Sequence, residues 1–240
     1  MNLCDDFYCI DGLPIDKSPL FKGSLVQGAH TKANPDMGRY ENRDPRMKGT
    51  LMLPGMEWNG KLFTNNLPAS STCCIRKWYT PEDTVNEYDG SLDFYVIRYA
   101  EVLLSLAEAM IEKGGYPQAE ITGYINEVRA RVGMPAVEVV EGTNLNKEEL
   151  RAIVRHERRV ELAFEDLRFA DLYRWGEFEK CSKAYAERPV ILWLWSSFGG
   201  VIFVVRKIWF GLFRKVRLIR IRCWSNIVME IRMIELSIVI

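Results

Sequence analysis

Between residues 93 and 180, apolar side chains recur at steps of three and four, and this periodicity constrains the fold more than any other feature of the 240-residue chain. An α-helix turns once every 3.6 residues, so such spacing gathers an apolar stripe on one face and sends that face to a core. Val96, Tyr99, Leu103, Leu106 and Met110 predict a first helix; Ala100, Ala107 and Ala109 allow close approach, and Gly114-Gly115 stops it. Pro117 suits the first turn of a second helix carrying Ile121, Tyr124, Ile125 and Val128, which Gly133 and Pro135 terminate. A third opens at Asn146, with Glu149 placed to complete a capping box. Its stripe runs through Leu150, Ile153, Val154, Val160, Phe164 and Leu167.

Two helices joined by a short Gly-Pro turn and followed by another suit an α-hairpin of the tetratricopeptide kind, so the fold class is mostly α. Residues 1–92 read as a long irregular region with short strands. Gly, Pro, Asn and Asp recur every few positions, as in Asp11-Gly12-Leu13-Pro14, and each cluster favours a turn. The runs Gly49 to Leu53 and Lys61 to Thr64 are candidates for small hairpins. A loop region this long is expected to lie across a scaffold.

Composition matters at one place. Residues 1–188 hold 24 Lys+Arg against 30 Asp+Glu, whereas 189–240 hold 8 against 2 and four of the seven Trp. The expected organisation is therefore 1–92 loop-rich, 93–188 helical within the same domain, and 189–240 an aberrant hydrophobic basic tail, translated out of frame. The tail shows no helical or strand period in its later part. Its charge-free stretch from Pro189 to Val205 sits at the lower limit for a membrane span, where ~20 apolar residues are usual. Met1-Asn2-Leu3-Cys4 is followed at once by Asp5-Asp6, without a basic or apolar leader, so Cys4 is not expected to be lipidated and Met1 is not expected to be the native start.

The six cysteines include no C-x-x-C pair, and with two histidines no zinc pattern forms, so neither a metal nor a cofactor is expected. Cys73-Cys74 can be read as a redox pair or as thiols in loops. His156-Glu157 is half of an H-E-x-x-H motif, but Val160 occupies the second ligand position. Glu157, Glu161 and Glu165 share a helical face and suggest a carboxylate pair for glycoside hydrolysis; Arg155, Arg158, Arg159 and Arg168 beside them favour ion pairing instead. Arg98 with Glu101 and Arg174 with Asp171 invite the same reading. No nucleophile with an adjacent base and no phosphate-binding loop occurs, so an enzyme is not expected.

Three blocks carry a resemblance: Asp93-Phe94-Tyr95-Val96-Ile97-Arg98-Tyr99-Ala100-Glu101-Val102-Leu103-Leu104; Ile125-Asn126-Glu127-Val128-Arg129-Ala130-Arg131-Val132-Gly133; and His156-Glu157-Arg158-Arg159-Val160-Glu161-Leu162-Ala163-Phe164-Glu165 with Trp175-Gly176 beyond. Asp11-Gly12-Leu13-Pro14 and Asn42-Arg43-Asp44-Pro45-Arg46 fit more loosely. In this order and spacing they resemble the C-terminal region of RagB/SusD proteins, over about residues 1–185. The family usually has Gly where this chain has Asp166, and a Pro- and Asn-rich ending where this chain has its tail.

The resemblance implies a truncated copy of a non-catalytic nutrient-binding lipoprotein at the outer membrane. Such a protein takes an oligosaccharide or other nutrient and works with a TonB-dependent transporter, with no role for nucleic acid. Sugar C–H faces pack on flat rings while hydroxyls take directed hydrogen bonds. Among the loops, Trp58 with Asn59, and Trp78 and Tyr79 with Arg76 and Lys77, are the candidate ligand-binding residues. Two other readings stay open: a helical protein-interaction module without sugar binding, and a small membrane protein anchored by 189–213.

Overall fold

A computed structural model describes residues 3–26, 36–58, 60–63, 73–80 and 92–179, together with the backbone of four strands between 190 and 236. The chain divides into two compact units, Met1–Arg168 and Phe169–Ile240.

In the first unit the order is α1 (Leu3–Asp6), a 3-10 turn (Met37–Tyr40), α2 (Pro45–Thr50), β1 (Leu51–Met52), β2 (Glu57–Trp58), β3 (Lys61–Leu62), β4 (Cys74–Ile75), α3 (Tyr99–Lys113), α4 (Gln118–Ala130), α5 (Val137–Val140) and α6 (Lys147–Glu161). The architecture is mostly α. Local signals set the helix ends: Gly114 closes α3 at φ 73°, and Pro117 stands just before α4. Asn146 accepts the Glu148 and Glu149 amides while the Glu149 side chain returns to the Asn146 amide, the full capping box.

Helix α3 lies against both α4 and α6. Their shared core contains Ala100, Leu103, Leu104, Ala107, Met110 and Ile111 from α3, Ile121, Ile125 and Val128 from α4, and Leu150 and Val154 from α6. The stripe expected on the first helix is displaced. Leu103 and Met110 are buried, but Val96 precedes the helix and Tyr99 and Leu106 face solvent; Ala100 and Ala107 lie on the inward side, whereas Ala109 is exposed. The third helix likewise stops at Glu161, and Phe164 lies beyond it in a turn at φ 61°.

The irregular region does lie across this scaffold. Cys4, Phe7, Tyr40, Met47, Leu51 and Leu53 pack on Val160 of α6 in a second apolar cluster. Strands β1 and β4 pair antiparallel, as do β2 and β3. Of the run Gly49–Leu53, Gly49 and Thr50 end α2 and only Leu51–Met52 is strand; of Lys61–Thr64, Lys61–Leu62 is strand and Thr64 lies outside the described residues. Gly12, at φ 82°, turns the Asp11–Pro14 segment against Val140 and Pro135, where a Cβ would sit 2.6 Å from Val140 Cγ2.

The second unit takes in α7 (Arg168–Arg174) from its second residue onward, where Arg174 pairs with Asp171 as expected, and an antiparallel meander. Its strands are β5 (Val190–Leu194), β6 (Val201–Arg206), β7 (Val216–Cys223) and β8 (Met229–Leu236), in sheet order 5-6-7-8. The tail thus has extended structure where no period was evident in the sequence, and β5 and β6 both fall within 189–213. No helix among the described residues is long and apolar enough to cross a membrane.

Candidate functional site

Glu157 and Glu161, one turn apart on α6, and Glu165 just beyond it are all buried. Their cations come from remote parts of the chain. Arg46 Nη1 donates to Glu157 Oε1 at 2.5 Å and to Glu161 Oε2 at 3.0 Å. Arg129 Nε donates to Glu157 Oε2 at 2.8 Å, and Arg131 Nη2 to Glu161 Oε1 at 2.8 Å. Arg98 bridges Glu161 and Glu165 at 2.7 Å each, and Lys77 also pairs with Glu165. Asp44 caps α2 through the Arg46 amide and holds the Arg46 guanidinium.

These cations come from outside the group of arginines that flank the glutamates in sequence. Of the arginines flanking the glutamates, Arg158 reaches Ser105 and Glu108, and Arg159 reaches Asp6. Arg98 serves Glu161 and Glu165 where Glu101 was expected. Burial alone would raise the Glu157 carboxyl, but the Arg46 and Arg129 guanidiniums outweigh it and hold it below its ordinary value. Glu161 is lowered likewise, with Arg46 and Arg98 overcoming burial. Carboxylates kept ionised in this way brace the fold; a general acid needs the opposite shift.

The half-motif at His156 is structural too. Its ring stacks on Tyr8, with centroids 3.9 Å apart, and Nε2–H donates to the Asp6 carbonyl at 2.7 Å. Among the described residues, no group of three His, Cys, Asp or Glu side chains is placed to hold a metal ion.

The frame presents an aromatic surface. A tight turn from Arg76 to Tyr79 is closed by the Tyr79 amide on the Arg76 carbonyl. Lys77 plugs the turn after α6, donating to the Glu161 and Ala163 carbonyls at 3.1 Å, and burial lowers its pKa. Trp78 Nε1 donates to the Phe164 carbonyl at 2.8 Å, a geometry served by the left-handed backbone of Phe164. Phe94 stacks on Trp78 with centroids 5.0 Å apart, and Tyr95 tilts against it at 5.4 Å. Phe94, Tyr95 and Tyr79 remain 56%, 51% and 60% exposed, so ring surface faces solvent.

Of the expected site residues, Trp58 and Arg76 meet, with the guanidinium carbon 5.7 Å from the Trp58 ring centroid. Arg76 also anchors to the Lys48 carbonyl at 2.6 Å. Tyr79 is exposed on the same turn, and Asn59 lies outside the described residues. Sequence reasoning missed Phe94 and Tyr95. The available signal was an adjacent aromatic pair at the head of a helix, just before Arg98, which docks into the glutamate frame.

The model for the SusD family matches residues 1–197. A SusD-like protein P2 of Formosa agariphila is 40% identical over 94 residues, a stretch that is 37% of this chain and 18% of that protein. With the family match extending over most of its length, this chain belongs to the SusD family.

Proposed function

We propose that the chain belongs to a non-catalytic, nutrient-binding accessory protein of an outer-membrane uptake system, and that it contributes part of a glycan-binding surface. The observation that carries this reading is the exposed aromatic cluster of Trp78, Phe94 and Tyr95, anchored on a buried ionic frame in a SusD-family chain. Sugar rings present flat C–H faces, which exposed aromatic rings cover at little entropic cost when the rings are already held in place. Trp58, Arg76 and Tyr79 would form the surrounding rim, with guanidinium and phenol groups for hydroxyls. The nutrient passes to a TonB-dependent transporter, and the intact protein is held at the outer membrane by a lipid anchor.

The test is oligosaccharide binding by calorimetry, on the 240-residue chain and on a family-length protein carrying the same segment. F94A and Y95A should each weaken binding about tenfold without a loss of folded structure; unchanged affinity in both would remove the cluster from the site. The exposed apolar row of Val96, Ile97, Tyr99, Val102 and Leu106 favours a second reading, a helical protein-interaction face. That reading gains if V102E abolishes a protein contact while sugar binding is untouched.

A further inference from the structure

Cys4 is buried at the centre of the cluster that seats the irregular region on α6, and Cys73 packs against that same cluster. The strand pairing explains why. Leu51 opposes Ile75 and Met52 opposes Cys74, so continuing the ladder by one residue sets Leu53 opposite Cys73. Leu51 and Leu53 both belong to the cluster, and residues directly opposite in an antiparallel pair share a face. This alternation puts Cys73 on the Leu53 face, in keeping with its packing against the cluster that holds Cys4, whereas Cys74 takes the other face with Met52. Cys4 is held from its own side as well: Arg43 Nη2 donates to its carbonyl at 2.6 Å, and its Sγ lies 3.8 Å from Met47 Sδ. Electrostatically Cys73 is, after burial, the largest influence raising the Cys4 thiol, to about 12.

We propose that Cys4 and Cys73 form a disulfide that ties α1 to strand β4. The co-reactant is a low-molecular-weight disulfide such as oxidised glutathione. The half-buried Cys73 attacks as thiolate and expels one thiolate from the reagent, leaving a mixed disulfide. Cys4, once deprotonated, attacks the Cys73 sulfur and expels the second. Two protein thiols lose two protons and two electrons, and one reagent disulfide becomes two thiols. Because Cys4 must ionise from a buried position, closure accelerates with pH through the alkaline range. The pairing is independent of any sugar-binding role.

The full chain is incubated with oxidised glutathione at pH 8.5, its remaining thiols are alkylated, and it is mapped by non-reducing peptide mass spectrometry. The expected product is a Cys4–Cys73 cross-linked peptide pair, lighter by about 2 Da than the summed free peptides. Closing so long a loop should raise the melting temperature by about 5–10 °C, an increase that reducing agent abolishes. C74S should retain both the cross-link and the increase; C73S should lose both. A dominant Cys73–Cys74 link, or recovery of Cys4 and Cys73 alkylated after oxidation, would overturn the proposal whatever the variants do.

Discussion

Arg46 and Glu157 are 111 residues apart in sequence, yet the Arg46 Nη1 and Glu157 Oε1 atoms meet at 2.5 Å with both side chains buried. Through this pair the Asn42–Arg46 segment is tied to α6. Arg43 ties α1, through the Cys4 carbonyl, to the 3-10 turn, through the Arg39 carbonyl; Asp44 caps α2, Pro45 opens that helix, and Arg46 crosses to Glu157 and Glu161. Within five residues the chain captures a loop, starts a helix and docks it.

Replacing Arg46 by Met should leave Asp44, Glu157 and Glu161 buried without their shared cation, which typically costs about 3–5 kcal/mol. Urea denaturation would measure it. A loss under about 1 kcal/mol would mean that water or Arg129 compensates.

Glu157 and Glu161 have folded-state pKa values below the ordinary 4.5, so the unfolded chain binds protons first as pH falls. Their contribution is complete above about pH 4.5 and is lost as pH drops through the folded values. Thermal midpoints should hold near neutrality and decline steeply in that acidic window. E161Q should flatten the slope while lowering stability at pH 7.

His156 is lowered below its ordinary 6.5, chiefly by burial, with Asp6, Glu157 and Arg129 as the charged groups around it. The neutral ring is favoured in the folded state, so its contribution is present above about pH 6.5 and lost as pH falls through the folded value. H156Q should remove the part of the stability decline that begins near pH 6.5 and precedes the carboxylate window. A wild-type curve flat between pH 7 and 5 would contradict this.

Asp166 adopts φ 63° and is exposed, a conformation that costs most residues about 1–2 kcal/mol and glycine almost nothing. D166G should therefore raise stability by up to about 1 kcal/mol, with Asp's tolerance of this region reducing the gain. Gly12 is the reverse case. G12A combines φ 82° with a Cβ 2.6 Å from Val140 Cγ2 and should destabilise by more than about 2 kcal/mol, read as a fall in melting temperature.

Local grammar determined much of the helical part. The Asn146 capping box, the Gly114 stop and Pro117 before α4 act over a few residues, so the sequence alone located three helices and their mostly α class. Which face of α3 went inward was decided by tertiary packing: Ala100 and Ala107 admit close neighbours, and the larger Tyr99 and Leu106 stay outside. The ionic roles of Glu157, Glu161 and Glu165 were legible, but not their partners, because Arg46, Arg98 and Arg129 arrive from separations of 111, 67 and 28 residues. The aromatic surface divides the same way. Trp78 stood out as a loop tryptophan, whereas Phe94 and Tyr95 joined it only because Arg98 and Lys77 share Glu165 and draw two distant segments onto one turn. Spacing encodes what neighbours do along the chain; a buried charge chooses its partner in space, and only the folded structure names it.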